Sequence, residues 1–202
     1  MASIYLLKSR FQGLLRPAVG WLHRWGATAN QVTLAAAVAS LLVVAVILRS
    51  GATQPAWFAL LPGWMLLRMA LNAIDGMLAR EFGQQSRLGA FLNELCDLVA
   101  DAALYLALLA VLGVSPWPLL ALVAMAWLSE YAGVLGVMVG ASRRYDGPMG
   151  KSDRAFVVGG LGLCLAFGWA DARWIEVAAW GMAAGGVVTT WRRVRGALAE
   201  KI

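Results

Sequence analysis

The sequence predicts an all-α integral membrane protein with six transmembrane helices and an N-terminal amphipathic helix lying in the membrane interface. Of the 202 residues, 61% are hydrophobic and 14% are charged, whereas a soluble domain is close to half apolar and a quarter charged. The apolar residues form continuous stretches rather than an alternating pattern, which argues against outer-membrane β-strands. Because one crossing needs about 20 residues, the chain can hold six spans in a single membrane domain, residues 1–202.

Residues 1–26 form the amphipathic stretch. Ile4, Leu7 and Phe11 recur near helical spacing, while polar and basic residues occupy another face. No uninterrupted apolar run or cleavage site follows a basic start, so the stretch does not have the pattern of a signal peptide. A helix in the membrane interface is therefore expected, with a break or kink at Pro17.

Six long apolar segments follow, and each is predicted to cross the membrane. Their limits are about 32–49, 55–79, 88–112, 117–140, 155–170 and 174–191. The intervening stretches are rich in glycine, proline and aspartate, which is typical of turns.

Lysine and arginine are distributed unevenly between the two ends of these spans. If the N-terminus is cytoplasmic, 14 of them lie on the cytoplasmic side and two, Arg49 and Arg173, on the other. The cytoplasmic set is Lys8, Arg10, Arg16, Arg24, Arg80, Arg87, Arg143, Arg144, Lys151, Arg154, Arg192, Arg193, Arg195 and Lys201. This asymmetry predicts that both termini are cytoplasmic. It also attributes the formal net charge of +6 to a membrane surface rather than to nucleic acid.

Ionisable residues inside the spans are the strongest functional signal. They are Arg68, Asp75, Glu94, Asp97, Asp101 and Glu130. Each is costly at membrane depth and should face the bundle interior with a partner or a ligand. The alternative is a structural ion-pair network that fixes helix register. By depth along the helices, we expect Arg68 to pair with Asp101, with Glu130 or with both.

The second and third spans carry polar residues at helical spacing. Asn72 and Asp75 share one helical face, and a stripe with a period of four follows on the next helix: Gly89, Asn93, Asp97 and Asp101. The short connection makes the two helices antiparallel neighbours, so the two polar faces should meet near the cytoplasmic end. Oxygen ligands in that arrangement suit a hard divalent cation such as Mg²⁺ or Mn²⁺.

Two small residues, Gly76 and Ala79, leave a gap beside these ligands that is large enough for a flat base or a nucleotide backbone. The alternative is helix packing alone, the commoner role of small residues in membrane helices.

Together these residues resemble the CDP-alcohol phosphotransferase (CDP-alcohol phosphatidyltransferase) family, whose pattern is D-x-x-D-G-x-x-A-R, a short spacer, and G-x-x-x-D-x-x-x-D. The matching positions are Asp75, Gly76, Ala79, Arg80, Gly89 and Asp97. Asn30 and Thr33, just before the first span, fit the family's P-N-x-x-T segment. The likeness covers nearly the whole chain, including the six spans and the interfacial helix.

The resemblance implies transfer of a phosphatidyl or similar group from a CDP-linked donor to an alcohol, with release of CMP and dependence on Mg²⁺ or Mn²⁺. It makes Asp75 a metal ligand and Asp97 both a ligand and the catalytic base. Asn72 and Asn93 stand where the family has its first and third aspartates, as in a bacterial branch of the family. Their carboxamide oxygens replace carboxylates, and whether one or two metal ions bind is left open.

Substrate contacts follow from the same resemblance. The residues implied to bind substrate are Asn30, Thr33, Gly76, Ala79, Arg80 and Gly89. Arg80 would hold a phosphate oxygen, with membrane anchoring as its alternative. A basic segment at 142–154 adds Arg143, Lys151 and Arg154, which could bind an acceptor phosphate or the lipid head region. Attraction to anionic lipid is the competing explanation.

The leading interpretation is a phosphotransferase of the bacterial inner membrane that uses CDP-diacylglycerol and a small alcohol or phosphoalcohol in phospholipid biosynthesis. The family resemblance also implies contact with membrane lipid and a homodimer. One alternative is a degenerate, non-catalytic family member that binds lipid or acts as a scaffold, which the two asparagines would favour. A small transporter is a further alternative that intramembrane charges alone would permit.

Overall fold

The computed structural model describes residues 2–200, with side chains from residue 11 onwards. Its elements are seven α-helices and two short 3₁₀ segments, Pro55–Ala59 and Ala107–Ala110. The α-helices are α1 (Ala2–Arg24), α2 (Ala29–Ser50), α3 (Leu60–Glu81), α4 (Arg87–Leu106), α5 (Pro116–Met138), α6 (Lys151–Ala166) and α7 (Ala172–Ala199). The all-α prediction is confirmed for this part of the chain.

Helix α1 runs without interruption through Pro17, so a break there is wrong, while a kink stays a prediction. Residues on both sides of the proline, Leu15 and Val19, pack on one apolar cluster. Proline removes one backbone hydrogen bond of the helix, and apolar packing on both sides of it compensates for that loss. The cluster consists of Val19, Ala29, Val32, Ile74, Met77 and Leu78. Leu14, by contrast, is 79% exposed, and the side chains of Ile4 and Leu7 lie outside the described ones.

The six predicted apolar segments each overlap one of the helices α2 to α7, but the ends differ. Residues 55–59 and 107–110 are 3₁₀ rather than α-helical. Helix α6 begins earlier than predicted, at Lys151, where Gly150 N–H donates to Asp153 at 2.9 Å and forms a cap. Helix α7 continues to Ala199, beyond the predicted end of the apolar segment. Arginine interrupts an apolar run but is a good helix former, so the helix does not end there.

Three segments among the described residues are long and apolar enough to cross a membrane. They are Ala29–Ser50, Pro55–Glu81 and Pro116–Met138. Helix α6 has 16 residues, and α4 contains Arg87, Glu94, Asp97 and Asp101. The short length of α6 and the charges of α4 therefore distinguish these two helices from the three apolar segments.

The chain divides into two compact units. The first consists of Met1–Leu42 and Trp64–Ala100, and the second of Val43–Gly63 and Asp101–Ile202. The first unit contains the cluster beneath α1 and most of the predicted site residues. In the second unit, α5 packs against α7. A Cβ added to Gly186 would lie 2.9 Å from the Cβ of Met125, so small residues allow this close approach.

Candidate active site

The first turn of α2 is fixed by side chains on both sides of it. Thr28 N–H donates to Gln31 Oε1 at 2.9 Å, and Gln31 N–H donates to Thr28 Oγ1 at 3.2 Å. This reciprocal cap satisfies backbone donors at the helix start. Gln84, in the loop after α3, accepts the Ala29 N–H at 2.7 Å. Sequence analysis did not identify Thr28 or Gln84, although the T-x-x-Q spacing is a sequence signal for a cap.

Asp75 on α3 is held by a residue of α2. Thr33 Oγ1 lies 2.7 Å from Asp75 Oδ2 and 3.1 Å from the carbonyl oxygen of Ala29. Its single hydroxyl hydrogen favours the shorter contact, so Thr33 donates to Asp75. Asp75 is 4% exposed and Thr33 8% exposed. A predicted substrate-binding residue and a predicted metal ligand are thus in direct contact, and Thr33 orients one oxygen of the carboxylate.

Asp97 on α4 accepts two hydrogen bonds from α3 through the same oxygen. Arg68 Nη2 donates to Asp97 Oδ1 at 2.7 Å, and Asn72 Nδ2 donates to that oxygen at 3.0 Å. Arg68 also donates to the Asp97 carbonyl oxygen at 3.3 Å. These contacts confirm that α3 and α4 are neighbours and that their polar faces meet.

Asp97 is a partner of Arg68 that sequence reasoning did not name. Within the first unit, Arg68 forms an ion pair with Asp97. The pairing with Asp101 or Glu130, expected from depth along the helices, stays a prediction. Arg68, Asn72 and Asp75 are spaced by four and three residues, which places them on one face of α3. That spacing was the available signal.

Two motif glycines make room for polar side chains. A Cβ on Gly89 would lie 2.7 Å from Asn30 Oδ1, so any other residue there would displace the asparagine side chain. A Cβ on Gly76 would lie 3.2 Å from both terminal nitrogens of Arg80. The space beside Gly76 is therefore lined by the Arg80 guanidinium. Ala79 instead packs against the apolar cluster beneath α1, as the packing alternative expects.

The donor set around this site consists of oxygen atoms. Asp75 and Asp97 supply carboxylates, and Asn72 and the half-buried Asn93 supply carboxamides. Among residues 11–200, no three histidine, cysteine or acidic side chains gather as a metal site. Carboxylate and amide oxygens are nevertheless the ligands that Mg²⁺ and Mn²⁺ prefer, so the residues present fit one such ion. Four aspartates would contribute twice this formal charge.

The second unit contains a buried ion cluster centred on Glu130. Arg154 donates to Glu130 Oε1 at 2.9 Å, and Arg193 lies 3.2 Å from Oε2. Arg143 lies 3.9 Å from the same oxygen. Arg154 is 1% exposed and also donates to Tyr105 at 3.2 Å. Its other contacts are Ser129 Oγ at 3.3 Å and the Met149 carbonyl at 2.9 Å. Of the predicted substrate-binding cations, Arg154 is therefore committed to protein groups.

A second, more exposed set of ionic contacts holds the 142–146 segment to the end of α7. Arg144 donates to Asp146 at 2.8 Å and also pairs with Glu200. Ser142 donates to Glu200 through its hydroxyl at 2.9 Å and through its backbone N–H at 3.0 Å. The Ser142 hydrogen bonds, followed by Arg144, lower the pKa of Glu200 below its ordinary value of 4.5. The hydrogen bond from Arg144 likewise lowers the pKa of Asp146 below 3.8.

Several proteins of known family are similar in sequence to this chain. Inner membrane protein YnbA of Escherichia coli is 45% identical over 81% of each chain. The archaetidylinositol phosphate synthase of Aeropyrum pernix is 31% identical over 75% of each chain. The phosphatidylinositol phosphate synthase of Corynebacterium glutamicum is 31% identical over 91% of this chain and 83% of its own length.

Solved structures share the fold. Phosphatidylinositol phosphate synthase of Mycobacterium tuberculosis with CDP-DAG bound matches at a TM-score of 0.73 and 20% identity, over 92% of this chain and 96% of that one. The same synthase in complex with manganese and citrate also matches at 0.73, over 92% of each chain. The family model described as CDP-alcohol phosphatidyltransferase matches residues 27–191. The resemblance read from the motif is confirmed: this chain belongs to the CDP-alcohol phosphatidyltransferase family.

Proposed function

We propose that this protein transfers the phosphatidyl group of CDP-diacylglycerol to a small alcohol or phosphoalcohol, with release of CMP, in phospholipid biosynthesis. The observation that carries the proposal is a pair of hydrogen bonds among family motif residues in the first unit, one to each of the two motif aspartates. Thr33 orients Asp75, and Asn72 contacts Asp97. Relatives named as phosphatidylinositol phosphate and archaetidylinositol phosphate synthases support the same reaction class.

The metal site of this proposal has four oxygen ligands. Asp75 and Asp97 supply its charge, and Asn72 and Asn93 supply carboxamide oxygens. A bound Mg²⁺ or Mn²⁺ would polarise the pyrophosphate of the donor and stabilise the departing CMP oxygen. Because two carboxylates carry half the formal charge of four, we propose one well-occupied ion.

Asp97 is the general base in this scheme. It takes the proton of the acceptor hydroxyl while that oxygen forms a bond to the phosphorus that carries diacylglycerol. The bond from this phosphorus to the CMP oxygen breaks, and CMP leaves with the electron pair. The two donors on Asp97 Oδ1 hold the carboxylate in one orientation, as positioning of a catalytic group requires.

Donor binding is assigned to residues around this pair. Asn30, Thr33, Gly76 and Gly89 are proposed to line the nucleotide side, whereas Ala79 is assigned to packing against the apolar cluster beneath α1. The exposed Arg80 would hold a phosphate oxygen, since a guanidinium matches phosphate geometry. Its guanidinium lies beside Gly76, in the space that the glycine leaves open.

The basic residues of the second unit have separate roles. Arg143 and Lys151, both half-buried, are proposed to hold an acceptor phosphate or the lipid head region. Arg154, which is completely buried, is proposed to support them through Glu130 rather than to meet substrate.

The protein is proposed to lie in the bacterial inner membrane with six crossings, both termini cytoplasmic and α1 in the interface. The Lys and Arg asymmetry and the three strongly apolar segments support this arrangement. A homodimer is proposed on the family resemblance, and light scattering of the detergent-solubilised protein would test it. Labelling of single cysteines placed in the loops would test the topology.

The activity test uses purified protein in lipid nanodiscs, labelled CDP-diacylglycerol, Mg²⁺ or Mn²⁺ and a panel of alcohols and phosphoalcohols. CMP release that depends on one of the acceptors is the expected result. Binding of CDP-diacylglycerol without CMP release under every condition would contradict the proposal. That outcome would favour the non-catalytic alternative, for which Asn72 and Asn93 are the supporting observation.

A further inference from the structure

A positive charge is built into the candidate active site at a position outside the family motif. Arg68 is 5% exposed and lies on the same face of α3 as Asn72 and Asp75. Its guanidinium contacts Asp97 twice, at Oδ1 and at the carbonyl oxygen. A buried guanidinium with two contacts to one residue restrains that residue more strongly than a surface ion pair would.

Asn72 shares this target. Its carboxamide nitrogen donates to Asp97 Oδ1 at 3.0 Å, a distance at which a carboxylate in place of the amide would face another carboxylate. Like charges this close in a poorly solvated site repel strongly. The amide supplies an N–H where the carboxylate would supply a second negative charge. An asparagine at residue 72 can therefore donate a hydrogen bond to Asp97, which an aspartate could not.

We infer that Arg68 and Asn72 are positioning residues for Asp97, and that the Arg68 guanidinium is a permanent cation of the site. The inference rests on the proposed function, in which Asp97 is the base. In this arrangement Asn72 uses its nitrogen to orient Asp97, and its oxygen stays available as a ligand. The permanent cation balances Asp97, so that metal binding depends mainly on Asp75 and on the phosphates that arrive with the donor.

The first test is Asn72→Asp, which keeps the size and the ligand oxygen of the side chain but removes its N–H. We expect kcat to fall about 10–100-fold, because a small displacement of a catalytic group has this effect. The KM for CDP-diacylglycerol should stay within about twofold, and Mn²⁺ should bind at least as tightly as in the wild type. Gln85→Glu, which adds the same charge on the exposed loop after α3, is the matched control and should leave all three quantities unchanged. An unchanged or higher kcat in Asn72→Asp would overturn the inference.

The second test compares Arg68→Met with Arg68→Lys. Loss of the guanidinium should tighten Mn²⁺ binding to the nucleotide-free protein about tenfold, because a neighbouring cation repels the ion. A purely structural role for Arg68 would not tighten metal binding. Arg68→Lys retains the charge, so its Mn²⁺ affinity should stay near the wild-type value and part of the kcat should be recovered. Arg49→Met removes an exposed arginine elsewhere and should leave Mn²⁺ binding unchanged.

The measurements distinguish a folding defect from a loss of function. If Arg68→Met does not fold, kcat and Mn²⁺ affinity of Arg68→Lys and Asn72→Asp still test the inference. A wild-type protein without CMP release would refute the proposed function, while the Mn²⁺ comparison would still report on the permanent cation. An active wild type whose Arg68→Met variant shows equal or weaker Mn²⁺ binding would overturn the inference alone.

Discussion

Asp97 combines two properties at the scale of single residues: it can accept a proton, and it receives two hydrogen bonds on Oδ1. An asparagine in its place keeps an oxygen for Arg68 and Asn72 but cannot act as a base. We therefore expect Asp97→Asn to lower CMP release by about 10²–10⁴-fold, the usual contribution of a general base. Binding of a cytidine nucleotide, measured by calorimetry, should persist. A variant with half of the wild-type activity would remove Asp97 from the mechanism.

The metal affinity should depend on whether nucleotide is present. Two carboxylates, one of them paired with Arg68, give the empty site little net negative charge. A cytidine diphosphate brings further negative charge and oxygen ligands, so Mn²⁺ should bind more tightly in its presence. Calorimetric titration of Mn²⁺ with and without the nucleotide measures the difference. Equal affinities would contradict a metal site shared between protein and donor.

At the scale of elements, helix α6 contains one tightly packed glycine, Gly162, and one glycine with open space beside it, Gly160. A Cβ on Gly162 would lie 2.7 Å from Leu61 Cβ and 2.8 Å from the Phe58 carbonyl oxygen, whereas a Cβ on Gly160 would meet nothing within 4 Å. Gly162→Ala should therefore lower the thermal stability. Gly160→Ala should raise it slightly, since alanine favours a helix by about 0.5–1 kcal/mol over glycine. Melting of both variants in detergent checks the pair, and equal shifts would contradict the packing argument.

The Glu130 cluster connects α5, α6 and α7 through Arg154 and Arg193. Glu130→Gln would leave buried guanidinium groups without their carboxylate, which can cost about 3–5 kcal/mol. Glu81→Gln is the matched control, because its pair with Arg16 is exposed and contributes little. Denaturation of the two variants should show a large loss for Glu130 and almost none for Glu81. Similar losses would contradict a structural role of the cluster.

The contacts of α7 with the 142–146 segment should weaken in acid. The folded pKa of Glu200 lies below its ordinary value of 4.5. Its contribution is therefore complete above that pH and is lost as the pH falls through the folded value. A spin label at the exposed Tyr145 should gain mobility between neutral pH and about pH 3. In Glu200→Gln the label should be mobile at every pH, and constant mobility in the wild type would contradict the assignment.

On the scale of the whole molecule, patterns that average over many residues predicted most of the fold. The six apolar segments each overlap one helix, since long apolar runs are a signal that averages over many residues. The helix ends were less predictable, since Ala107–Ala110 turns 3₁₀ within an apolar run and α7 continues through its arginines. The motif predicted Asp75 and Asp97 as neighbours of polar partners. Sequence reasoning did not name Asp97 as a partner of Arg68, because helix depth does not specify rotation about the helix axis.

The burial of Arg154 and Arg193 has a consequence for how the protein is made. The proposed topology counts both among the cytoplasmic cations that orient the chain, yet they are 1% and 2% exposed once folded. Under the proposed topology they act twice: first as retention signals while the helices leave the translocon, then as partners of Glu130 when the helices assemble. Neutral replacements would thus impair biogenesis at two stages, and a compensating mutation at Glu130 could restore only the later one.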